Sequence, residues 1–498
     1  MQIAEFIKQQ LIFQYDQVRV SPYKRSLDFS GFDLEDLKAC HTQLNGSIDS
    51  LGIGELQEMI LRGDLTCLQL AKYYLYRIYH YQAYNAVIEL NTKILDQARC
   101  LDEKIRKKTM KSLYGVMVLL KDNIGESSLH TAAGAYSLRE ARTKRDAFIV
   151  TCLKDQDALI LGKANLSEWS NFFSSPSSNG FSVLGGQTLN PHGRYDVGGS
   201  SSGPCVAASL NLATVTLGTE TCGSLIYPAG QNSVVTIKAS LGLHSRDLII
   251  PISEAMDMAG VIGRTVEDTY RVFKHLVKED VQDRRTQVTK DLVIKDKLGA
   301  SKARRIGYLR DDLSHYREVL EEFDKLGIEA VEIELGSIDG VNLMPILNHG
   351  IVHDLNAYLS SADVDSPFKS IEELVDFYKA NPQYMPYGQD LFTGALDQAQ
   401  PVDKILDHIR VNQEICQGVI DQALASYDVD MILVQSNRAF LYATAGYPAI
   451  SLPAGKKSNG EPYNLTLLSG FLKDISLFEF AKSYEDKYDH RMLPQVNL

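Results

Sequence analysis

Apolar and polar positions along this chain fall into two kinds of block. Short continuous apolar runs read as buried strands, and apolar residues spaced three and four apart read as helices. Residues 54–61 open one helix and residues 64–71 a second, with Leu65, Leu68, Leu70, Tyr73 and Tyr74 on a broad apolar face. Residues 85–91 read as a short strand, and 92–108 as a helix with mixed charges outside. Residues 116–120 are continuously apolar, the pattern of a strand buried on both faces, and Lys121 ends the run. Further on, 146–155 reads as helix, 158–162 as strand, 205–212 as a small-residue helix and 213–217 as a β-branched strand. Residues 232–243 give another strand and turn, and Gly263 leads into a helix. The C-terminal half predicts strands at 305–309, 330–335, 428–434 and 446–455, a helix at 314–326 and a mostly helical block at 343–425. Residues 278–305 are charged and read as a solvated connection. The alternation is that of an α/β fold.

The first fifty residues are the least patterned. Ile3, Phe6, Ile7 and Leu11 fall on one helical face. Residues 1–50 are therefore read as a helical N-terminal extension that covers the main domain rather than a membrane-surface helix.

Composition narrows the class. The chain has 498 residues, 44% of them hydrophobic, which suits a soluble protein with a large core. A net charge of −12 argues against nucleic acid or anionic membrane as a main partner. No apolar run reaches the roughly 18 residues of a membrane span, and the N-terminus lacks a signal peptide's basic and apolar regions. Seven scattered cysteines without a C-x-x-C pair point to a reducing, cytoplasmic setting. The eleven histidines show no metal-ligand spacing, and no cofactor motif is present.

The stretch from Asp196 to Ala229 carries the chemistry. Gly198-Gly199-Ser200-Ser201-Ser202-Gly203 forms one turn, with Pro204 early in the following helix. Gly218-Thr219-Glu220-Thr221-Cys222-Gly223-Ser224 forms a second, closed by Pro228. Both can present hydroxyls beside unpaired backbone N–H groups, an arrangement able to attack a carbonyl and hold the oxyanion. A flexible loop is the plainer reading of such composition. A phosphate loop is excluded because neither turn has the required Lys, and the dinucleotide G-x-G-x-x-G register is absent. Lys121 reads equally as a functional group or as a structural lysine reaching water or pairing with Asp122.

On these residues the chain resembles the amidase signature family, whose pattern is a Gly-Gly-Ser-Ser-Gly/Ser-Gly turn, a small-residue helix and strand, then Gly-Thr-Asp/Glu-x-x-Gly-Ser-Ile/Leu-x-x-Pro-Ala. The spacing from Ser200 to Ser224 matches, and Val118-Leu119-Leu120-Lys121-Asp122-Asn123-Ile124 is similar to the family's catalytic-lysine segment. Segments around Trp169, Gln187 and Gln389 resemble its peptide-amidase branch, although Trp169 itself is read as core. The resemblance runs from about residue 51 to the end. It implies a large mixed central sheet covered by helices on both faces, with a variable substrate-pocket region at about 340–425. It also implies a serine amidase acting through Lys121, Ser200 and Ser224. Ser200, held in a cis peptide, would pass the Ser224 proton to Lys121 and then deliver one to the leaving amine. Ser224 would form the acyl-enzyme. Ser201 would support the relay, and the N–H groups of Thr221, Cys222, Gly223 and Ser224 would hold the oxyanion.

Three positions depart from the pattern: Cys222 stands where Gly or Asp is commoner, Ile226 where many members carry Arg, and Ala239 where Pro is usual. The expected substrate is a small-molecule or peptide amide, with a primary carboxamide such as a C-terminal peptide amide foremost. The alternatives are the glutaminase subunit of an amidotransferase and a catalytically silent binding protein on the same fold.

Overall fold

The computed structural model describes residues 20–398 and 400–495. One eleven-stranded mixed sheet runs through it. In chain order its strands are β1 (Val87–Leu90), β2 (Met117–Lys121), β3 (Leu159–Ala164), β4 (Val215–Glu220), β5 (Val235–Lys238), β6 (Met258–Gly263), β7 (Arg305–Leu309), β8 (Glu329–Ile333), β9 (Met431–Val434), β10 (Ala449–Lys456) and β11 (Pro462–Leu468). Their spatial order is β1-β3-β2-β4-β6-β5-β10-β11-β9-β7-β8. Parallel pairing joins β3, β2 and β4, and again β9, β7 and β8. The strands between these groups pair antiparallel.

Successive side chains of a strand point to opposite faces, and β2 shows the consequence. Val118 and Leu120 join one apolar cluster with Val272, Phe273 and Phe478, from the helices Val266–Leu276 and Asp474–Glu485. Met117 and Leu119 join another with Leu70, Tyr74 and Val206, from the helices Cys67–His80 and Ser202–Ser209. Helices thus cover both faces, and every residue of β2 is buried, Lys121 included. Lys121 shares the parity of Met117 and Leu119, the side on which the helix after Ser200 packs.

Several sequence expectations change. The helix expected at 205–212 begins at Ser202 and ends at Ser209. The second turn is shorter than expected. Gly218, Thr219 and Glu220 continue β4, because each pairs with a residue of β6 (Gly260, Ala259 and Met258). Residues 278–305 are mostly exposed, as their charge predicts, but two acids anchor the stretch to the body. Asp283 is buried and takes the Arg246 Nε–H at 2.8 Å, and buried Asp280 takes the Ser245 hydroxyl at 2.6 Å. In the N-terminal region, Ile3, Phe6, Ile7 and Leu11 lie outside the described residues. The helix there is Leu34–Leu44, capped by Asp33, and its Leu37, Cys40 and Leu44 pack into the same cluster as Leu70 and Leu161. No described helix is long and apolar enough to cross a membrane.

Candidate active site

The site forms where β2 and β4, parallel neighbours, both end. β2 delivers Lys121 and β4 delivers Thr219 and Glu220. The turn before the helix Ser202–Ser209 lays Ser200 against them. Lys121 Nζ lies 2.8 Å from Ser200 Oγ, 2.8 Å from Thr219 Oγ1 and 3.2 Å from the Thr219 carbonyl oxygen. A protonated lysine donates to all three. A neutral amine keeps two N–H groups for the Thr219 oxygens and one lone pair for the Ser200 proton. Burial pushes Lys121 down to about 7, with the nearby Asp257 carboxyl opposing the fall. A base near neutrality suits proton removal from a serine hydroxyl.

The Gly-Ser turn is held tightly. Its Gly199–Ser200 peptide bond is cis. A Cβ on Gly199 would lie 2.5 Å from Ser167 Oγ and 2.7 Å from Asn179 Oδ1, so a larger residue does not fit. Ser201 does not touch Lys121 or Ser200 through its hydroxyl. It donates to the Thr219 carbonyl at 2.9 Å and accepts the Thr219 N–H at 3.2 Å, while its own N–H reaches the Ser224 carbonyl at 3.1 Å. Ser201 therefore ties the turn that bears Ser200 to the one that bears Ser224.

Ser224 is half-buried and lines a cavity of about 110 Å³ with Gly199, Thr221, Cys222 and Gly223. Among the described residues, no side-chain hydrogen bond joins Ser224 to Ser200. Lys121 and Ser200 are thus brought into contact, and Ser224 stands at the cavity beside them. Gly223 has φ +90°, a left-handed conformation that favours glycine. The N–H groups of residues 221–224 take no acceptor within the described chain, as an oxyanion hole requires. The next two N–H groups, of Leu225 and Ile226, are held by Glu220 Oε2 at 2.8 and 3.1 Å. Glu220 thereby sets where the free donors stop.

Cys222 shares the cavity, but burial first, and Glu220 second, push its thiol up to about 12. Ile226 is fully buried in an apolar cluster with Trp169 and Phe172, so no cation stands at that position. Trp169 packs against Phe392 with ring centroids 5.1 Å apart and is core, as read from the sequence. Gln187 and Gln389 are buried and spend their amide N–H groups on backbone carbonyls of Asn179, Thr188 and Val375.

Sequence reasoning missed Asp257. It accepts the Thr221 hydroxyl at 2.5 Å and the N–H groups of Ile252 and Ser253 at 2.8 and 3.0 Å. Burial raises its carboxyl to about 6. The one signal was an acid inside the otherwise apolar stretch 255–263. A second cavity of about 730 Å³ meets the first at Ser170, Thr221 and Ile252 and reaches Asn123, Thr219 and Asp257. Its outer wall includes His349, Asp354, Val402 and Leu406, from the helical region expected to vary.

The family model described as Amidase matches residues 69–434. A probable amidase of Arabidopsis thaliana is 33% identical over 463 residues, covering 88% of this chain and 90% of that protein. The crystal structure of an amidase family protein from Bacillus anthracis superposes with a TM-score of 0.88 at 32% identity, covering 94% of this chain and 96% of the other. The peptide amidase of Stenotrophomonas maltophilia gives 0.83 at 31% identity, covering 90% and 99%. Glutamyl-tRNA(Gln) amidotransferase A subunits also match, at 27% and 26% identity in two examples. With the family model spanning most of its length, the chain belongs to the amidase signature family, and it is a hydrolase acting on amides.

Proposed function

We propose that this protein hydrolyses primary carboxamides, foremost C-terminal amides of short peptides, to the acid and ammonia through an acyl-enzyme on Ser224. The observation that supports the relay is the contact between a buried, near-neutral Lys121 and Ser200. In this reading Ser200 takes the Ser224 proton as Ser224 attacks the carbonyl, and passes its own proton to Lys121. The N–H groups of residues 221–224 receive the oxyanion. The proton returns through Ser200 to the leaving nitrogen, and ammonia departs. Water then enters by the same path and releases the acid. Each proton moves among Ser224, Ser200, Lys121, the substrate nitrogen and water, and no step needs a cofactor.

The substrate class rests on the shape of the site and on likeness to a peptide amidase. The 110 Å³ chamber at Ser224 is small, whereas the adjoining 730 Å³ cleft has room for an extended acyl group. A buried Ile226 also offers no guanidinium to clamp a substrate carboxylate. The test is ammonia release from an amidated dipeptide, from the same dipeptide extended by one residue, and from glutamine. The amidated dipeptide should be turned over fastest. Faster turnover of glutamine would favour the amidotransferase reading instead. No turnover of any amide, with no labelling by a fluorophosphonate, would favour a silent scaffold.

A further inference from the structure

Away from the reaction site, a pocket of about 260 Å³ gathers three arginines from distant parts of the chain. Arg77 comes from the helix Cys67–His80, Arg264 from the turn after β6, and Arg491 from the segment after the last helix. Arg264 lies six residues beyond Met258, the partner of Glu220. At about 3.3 Å per strand residue, this places the pocket roughly 20 Å from Ser224, at the opposite end of β6.

The three side chains are not equally engaged. Arg77 gives its Nε–H to the Asn211 carbonyl and an Nη2–H to the Leu210 carbonyl, each at 2.9 Å. Arg264 gives its two Nη groups to the carbonyls of Asp49 and Leu51. It is 7% exposed, and its Nε–H has no acceptor among the described residues; Arg491 Nη1 is likewise buried without one there. Among the described residues, Asp49 is the single carboxylate in the pocket wall. Its oxygens already take the Tyr73 hydroxyl and the Gly46 N–H, and it stands 3.7 Å from Arg77. The acids behind Arg491 are occupied too. Glu485 takes the Val266 N–H, Asp268 the Ile53 N–H and Asp489 the Arg491 N–H. Burial, and then Arg264, push the Arg491 guanidinium below its ordinary value. Buried guanidinium N–H groups left without acceptors are costly, and an oxyanion supplies both acceptor oxygens and opposite charge.

We propose that this pocket binds a small oxyanion, a phosphate or a carboxylate, held by Arg491 and Arg264 with Arg77 beside it. The bound ion fastens the C-terminal segment to the helix Cys67–His80 and to the end of β6. Apart from Asp49, the rest of the wall is neutral, with Ser50, Ser209 and Asn211 in it; Ser209 also bonds His192, and the Asn211 amide donates to the Asp49 carbonyl.

The test is calorimetric titration of the full chain with inorganic phosphate and, separately, with malonate, against sodium chloride of matched ionic strength. One ion should bind per chain, and the thermal midpoint should rise above that in matched chloride. Saturation by phosphate alone identifies a phosphate site, and saturation by malonate alone a carboxylate site. Arg491→Gln should weaken binding by about tenfold or more, and Arg491→Lys, which keeps the charge without the fork, by less. Turnover of amide substrate by Arg491→Gln should stay near that of the unmodified chain, which also shows that the variant folds. Ser224→Ala should bind the ion unchanged, which separates this site from an anion in the active site. Absence of saturable binding by either ion would overturn the proposal, as would binding that Arg491→Gln and Arg264→Gln leave undiminished.

Discussion

Lys121 Nζ and Ser200 Oγ sit 2.8 Å apart, and neither residue exposes any surface to solvent. A fully charged ammonium in that position would be strongly penalised by loss of hydration. The contact therefore favours the neutral amine, the form able to accept a serine proton.

The first prediction is the pH profile. With Lys121 near 7, kcat should fall about tenfold per pH unit well below that value and level off above about pH 8. The same group affects stability. In the unfolded chain it has its ordinary value of 10.5, so between about 7 and 10.5 the unfolded state binds the extra proton. Its contribution to stability is fully present above 10.5, declines as the pH falls through that window, and is lowest below 7. A rate that peaks in acid and declines by neutrality would contradict a lysine base.

Asp257 gives a second, directional prediction. Its carboxyl is the leading influence that raises Lys121 against burial. Asp257→Asn should move the acid limb of the kcat profile to lower pH, by on the order of one unit. Lost packing or a lost hydrogen bond to Thr221 would lower kcat without moving the limb. The profile, rather than the rate at one pH, is therefore the measurement.

Cys222 is the rival nucleophile, two residues from Ser224 in the same cavity wall. A thiol pushed up to about 12 has a very small thiolate fraction at pH 8. Cys222→Ala should retain most of the activity, because the backbone N–H survives the change. Loss of turnover in that variant, together with an adduct mapped to Cys222 in the unmodified chain, would reverse the assignment.

Much of this site was legible in the sequence because its parts are local. Lys121 ends a continuous apolar run, and Ser200 and Ser224 sit in glycine turns whose composition marks them. What escaped depends on pairing between distant segments. Met258-Ala-Gly-Val-Ile-Gly263 has glycines at two of its six positions and no polar alternation, so it did not read as a strand. It becomes one because Glu220, Thr219 and Gly218 pair with its first three residues. That pairing is also what extends β4 past the expected turn and carries Thr219 to Lys121. Asp257 becomes part of the site only once β6 is in place. The cavity walls likewise bring together Ser170, Ile252 and Leu347, which no local pattern connects. The charged stretch 278–305 is mostly exposed, as expected, but its anchors did not show in the local pattern, because Asp280 and Asp283 find their partners, buried Ser245 and part-buried Arg246, more than thirty residues away.

The most direct test of the central claim, that Lys121 activates Ser224 through Ser200, is the rate and position of covalent labelling by a fluorophosphonate at pH 8. Peptide mapping should place one adduct on Ser224 in the unmodified chain. Lys121→Ala and Ser200→Ala should each slow labelling by roughly a hundredfold or more, and the double variant should be little slower than either alone, because the two act as one unit. An adduct on any other residue, or a Lys121→Ala variant labelled at the unmodified rate, would contradict the account.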